Sequence, residues 1–153
     1  PNEFTIVYAA NVFMLVIFGT LNMKLLKKYS LFQLLLTGVS FQLILALLLI
    51  AFYSVHNVYS ITILMMLFIG GLGLIFANAF ALILEKFQAL SGTANALNGV
   101  MNSLFAGSMA FIVSFLHDGT LFPMFIMMGI VTFISFLIIV LNKEAIKELA
   151  HNT

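Results

Sequence analysis

Apolar positions in this chain fall into five long uncharged runs, over residues 4–23, 31–53, 61–84, 92–116 and 121–141. At about 1.5 Å per residue, runs of this length cross a hydrocarbon core of about 30 Å. Every charged side chain lies outside them. A charge at a span centre costs about 2.5–3.5 kcal/mol, so a bilayer imposes this segregation. Strands of a membrane barrel would instead appear as short alternating segments. The pattern predicts an all-α, polytopic membrane helix bundle: five transmembrane helices forming one unit over residues 1–153, closed by a polar tail over 142–153.

The connectors carry their own signals. Residues 24–30 are basic. Glu85 and Lys86 read as a solvated helix end, and His117-Asp118-Gly119-Thr120 as a tight turn. Pro123 follows, at an early helical position where a missing N–H costs nothing. All six lysines (Lys24, Lys27, Lys28, Lys86, Lys143 and Lys147) sit in the first connector, the third connector and the tail. Five alternating spans place these segments on one side, and the positive-inside rule makes that side cytoplasmic. Pro1 is then expected outside the cytoplasm and Thr153 inside it.

Composition narrows the functional classes. Hydrophobic residues make up 63% of the chain and charged residues 7%, against about 25% charged in soluble domains. The formal net charge of +1 supplies no basic patch for nucleic acid. No cysteine is present, which removes disulfides, thiolate metal sites and cysteine nucleophiles. His117 and Asp118 have the wrong number and spacing for zinc, and no serine or histidine is grouped with an acid as in a triad. The chain is expected to be no enzyme and to need no metal or cofactor. Met124, Met127 and Met128 read as lipid-facing filler.

Polar residues inside the spans carry the remaining information. On the fourth span Asn95, Asn98 and Asn102 share one narrow arc at helical spacing. Beside them runs a stripe of small residues, among them Gly92, Ala96, Gly99, Ser103 and Gly107, suited to close helix packing. The amides have two readings: hydrogen bonds across helices as structural glue, or the lining of a wet substrate cavity. The third span repeats the theme with Gly70, Gly73, Ala77 and Ala81 on one face and Asn78 beside it. The first places Asn11 and Asn22 with Leu15 and Phe18, and Tyr8 nearby. The second and fifth spans are more uniformly apolar, with little polarity over residues 43–52 and 124–140, and are expected to face lipid. No carboxylate lies within a span.

At the fourth and fifth spans the residues Gly92-Thr93-Ala94-Asn95-Ala96-Leu97, Leu116-His117-Asp118-Gly119-Thr120 and Pro123-Met124 resemble the last two helices of drug-resistance transporters. These belong to the major facilitator superfamily, and the nearest subgroup is the bicyclomycin-resistance (Bcr/CflA) type. Gly19-Thr20-Leu21-Asn22, followed by Lys24, Lys27 and Lys28, is similar to the family's basic motif between its eighth and ninth helices. Met23 stands at that motif's usual acid and Leu26 at its usual glycine. The resemblance implies that the five spans correspond to helices eight to twelve of a twelve-helix transporter in the bacterial inner membrane, with the N-terminal half absent from this sequence. It implies proton-driven export of small apolar drugs by alternating access, powered by the proton gradient. Helices eight, ten and eleven flank the family's cavity, which nominates Tyr8, Asn11 and Phe18, then Asn78, then Asn95, Asn98 and Asn102 as cavity residues. Gly19, Lys24, Lys27 and Lys28 are nominated as the cytoplasmic basic motif. Two alternatives remain open: a superfamily importer of a small metabolite, and a self-contained five-helix protein with a structural role.

Overall fold

Long apolar runs leave the backbone one way to satisfy its polar groups in hydrocarbon, the i to i−4 ladder of a helix. The computed structural model describes residues 2–53 and 58–146, with side chains from Tyr8 onward. Five long helices fill it: α1 (Asn2–Leu25), α2 (Leu31–Phe52), α3 (Val58–Lys86), α4 (Ser91–Phe115) and α5 (Phe122–Leu141). A single 3-10 turn, Gln88–Leu90, joins α3 to α4. Each long helix contains a segment long and apolar enough to span a membrane, and no strand occurs among the described residues. The chain is a multi-pass, all-α membrane protein.

Local chemistry sets the helix ends. Ser30 caps α2: its hydroxyl accepts from the Gln33 amide N–H, and the Gln33 side chain accepts from the Ser30 N–H. This reciprocal pair satisfies two backbone donors that a helix start leaves orphaned. Pro123 sits in the first turn of α5, as the sequence predicts. In the turn before it Gly119 has φ +85°, and Asp118 accepts hydrogen bonds from the Thr120 amide (2.9 Å) and hydroxyl (2.6 Å). An L side chain at Gly119 would meet its own carbonyl, so the glycine permits the reversal.

Packing follows the order α1, α3, α2, α5. α1 runs parallel to α3: Phe18 lies against Gly70, and Asn22 bonds to Asn78. α2 is antiparallel to both α3 and α5, with Gly38 against Leu74 and Ile75 and with Ile50 against Gly129. Two apolar clusters hold these helices together. Phe32, Leu35, Val39, Leu82 and Ile139 form one. Leu45, Ala46, Leu49, Phe68 and Phe125 form the other. The parallel course of α1, α3 and α5 puts Lys24, Lys27, Lys28, Lys86 and Lys143 at one end of the bundle. Lys147 lies outside the described residues.

Three expectations need correction. α2 was expected at the lipid face, yet it is the central helix, with buried residues from Phe32 to Leu49 along its length. Uniform apolarity does not say what covers a helix, since lipid tails are as apolar as leucine. Met124 and Met128 of α5 pack against the second cluster, and Met127 joins them on a cavity wall; none is lipid-facing filler. Glu85 is not a fully solvated end: α3 runs on through Lys86, and Glu85 Oε2 is sealed from water with no hydrogen-bond partner among the described residues.

Candidate functional site

The seven nominated cavity residues separate into two groups. Of those on α1 and α3, Phe18 and Asn78 are held by interfaces within the chain. Phe18 lies over Gly70, where an added Cβ would come within 3.0 Å of its ring, and it stacks on Phe41 with centroids 5.9 Å apart. Asn78 is fully buried and exchanges two hydrogen bonds with Asn22, one of 2.8 Å from its own Nδ2 and one of 3.2 Å from Asn22 Nδ2. It also donates to the Leu74 carbonyl at 2.7 Å. Asn22, 1% exposed, was absent from the nominated set. Its signal was its place on the Asn11 face of α1. Asn11 is half-buried with Oδ1 sealed and unbonded among the described residues, and Tyr8 is exposed.

The α4 group stands differently. No residue of α4 is buried, and an added Cβ at Gly92, Gly99 or Gly107 would touch nothing. The glycines of the small-residue stripe expected to pack closely have no partner among the described residues. Asn95 and Asn102 are exposed, while Asn98 is half-buried. Asn98 lines a cavity of about 410 Å³ where α4 leaves the end of α3, together with Ile83, Phe87, Thr93 and Met101. Further along α4, Met109 and Val113 continue the amide arc at helical spacing. They border a second, partly open cavity of about 370 Å³, whose other walls come from α2, α3 and α5. Met109 and Val113 of this arc therefore face space between α4 and the rest of the chain, Asn98 borders the first cavity, and Asn95 and Asn102 line neither.

Gln42 escaped the sequence reading. It is 5% exposed on α2, donates from Nε2 to the Phe68 carbonyl at 3.1 Å, and lines the second cavity. Its signal was an amide well inside the run rather than at its capped end.

No family model, no curated protein and no solved structure matches this chain.

Chemically, the site offers amides, hydroxyls and thioethers. No group of three or more His, Cys, Asp or Glu able to hold a metal occurs among the described residues. Gly19, Lys24, Lys27 and Lys28 lie where α1 ends and turns toward α2; the three lysines are exposed, and Gly19 is close to the backbone of Gly73.

Proposed function

We propose that the chain is the C-terminal portion of a secondary transporter, working by alternating access to export small apolar drugs in exchange for protons moving down their gradient. The observation that carries this reading is the α4 amide arc. Three asparagines lie on a membrane-spanning helix, none of them hydrogen-bonded to another described side chain, and one of them lines a cavity. An unpaired amide in hydrocarbon costs several kcal/mol, so these groups call for water, a ligand or further protein. A transport cavity closed by a second set of helices, on the same polypeptide or another, answers that need. The unpartnered stripe of Gly92, Gly99 and Gly107 offers those helices a close approach. Sidedness follows from the lysines: their end of the bundle is cytoplasmic and the Asp118 turn lies outside. The family resemblance supplies the superfamily, the drug substrates, the proton coupling and the bacterial inner membrane.

A second reading is favoured by the Asn22–Asn78 pair, which shows how this chain uses amides as interhelical bonds. In it the α4 amides bond to another membrane helix, and the protein serves assembly rather than transport. Inverted membrane vesicles containing the full-length protein separate the two. Export predicts that a substrate drug partly collapses an imposed pH gradient, and that Asn98→Leu reduces this response at unchanged expression. Absence of any drug response across a broad panel, with Asn98→Leu lowering the melting temperature, selects assembly.

A further inference from the structure

We propose that the cavity between α2, α3, α4 and α5 is a binding site for an uncharged aromatic molecule of about two rings that carries one hydrogen-bond donor. None of the seven nominated residues lines it, and the proposal stands whether or not the chain moves substrates.

Its size is the first argument. The volume of about 370 Å³ is more than twice the ~150 Å³ of an apolar cavity that takes up benzene. Its walls are the second. Met109, Met124 and Met128 present flexible, polarisable thioethers, which adapt in shape and contact aromatic rings favourably. No charged residue lines the space, so an ionised ligand would enter without a counter-charge.

The polar lining sets the remaining feature. Gln42 spends one N–H on the Phe68 carbonyl, and its own carbonyl oxygen accepts no hydrogen bond among the described residues. Thr132 and Ser135 donate their hydroxyl protons to the Met128 and Val131 carbonyls, at 2.6 and 2.9 Å. What these hydroxyls still offer the cavity is acceptor lone pairs. Three acceptors and the second Gln42 N–H, in an otherwise apolar chamber, select a ligand with a hydroxyl, which both donates and accepts. A lipid acyl chain would satisfy the apolar walls and leave the Gln42 oxygen unpaired, at a cost a hydroxylated ring avoids.

The test uses the full-length protein in lipid nanodiscs, with 2-naphthol as probe and empty nanodiscs as the reference for partitioning. The expected result is a saturable component of one site per chain. Its affinity for 2-naphthol exceeds that for naphthalene by about tenfold, the scale of one hydrogen bond in a dry site. 2-Naphthalenesulfonate should not compete. Ala106→Phe, which places a ring on the exposed α4 wall, should abolish the component. Gln42→Leu should bring the naphthol-to-naphthalene ratio towards one. That ratio is measured within each variant, so a general loss of stability does not alter it. Linear partitioning equal to that of empty nanodiscs would overturn the proposal, as would equal affinity for the two ring compounds in the wild type. Unchanged binding in Ala106→Phe would overturn it too.

Discussion

The Asn22–Asn78 pair shows at the scale of single residues what an amide costs and contributes within a membrane helix bundle. Each side chain is sealed from water and answers the other, so removing one strands its partner. Asn78→Leu should lower stability by about 1–3 kcal/mol, the cost of an unsatisfied buried polar group. Adding Asn22→Leu should recover a good part of that loss, which thermal melts of the two single variants and the double variant would show. The Asp118 turn supplies a second residue-scale outcome. Hydrogen bonds from the Thr120 hydroxyl and amide favour the ionised carboxylate and hold its pKa below the usual 3.8, with a smaller contribution from His117. A lowered folded pKa gives stabilisation that is complete above the unfolded value and fades as pH falls through the folded one. Melting temperature should therefore drop in the strongly acidic range, below about pH 4, and Asp118→Asn should drop less there, because an amide oxygen accepts the same bonds without titrating. The sequence made this turn legible, since Asp-Gly chemistry is local. It could not pair Asn22 with Asn78, because that bond depends on the register of two helices 56 positions apart.

Among the helices, glycine has two distinct uses. On α3 it permits close approach: a Cβ at Gly73 would lie 3.0 Å from the Leu15 carbonyl oxygen and 3.2 Å from the Gly19 nitrogen, both backbone atoms that cannot rotate away. Gly73→Ala should push α1 and α3 apart and cost about 1–3 kcal/mol. On α4 the same residue type meets open space, and Gly99→Leu in residues 1–153 alone should change stability by no more than about 0.5 kcal/mol. Melting both variants in detergent checks the contrast. All five helices were readable from the runs, because length, apolarity and charge segregation are properties of each segment by itself. Which helix is central was not readable. α2 is strongly apolar in its second half, and its burial is hinted at by Gly38, Gln42 and Ala46, small or polar positions that a lipid-facing helix has no need of. α4 carried the clearest polar pattern and stands furthest from the other helices of this chain.

For the whole molecule, the bundle α1, α3, α2, α5 is a continuous packed unit, and α4 flanks it across two cavities. The shared end of the five described lysines turns the proposed orientation into a direct expectation. Residues 1–153 contain no cysteine, so none of them adds background to a single introduced cysteine. With a membrane-impermeant thiol reagent outside intact cells, Val58→Cys should react and Glu144→Cys should not. The central claim is narrower: the α4 amide arc faces a wet cavity. Its most direct test is cysteine accessibility along α4 of the full-length protein in native membranes, using a small hydrophilic thiol reagent. Cysteines at Asn95, Asn98 and Asn102 are predicted to react, and those at Val100 and Leu104 on the far side to remain protected. Protection at Asn98 and Asn102, or equal reaction on both faces, would contradict the account.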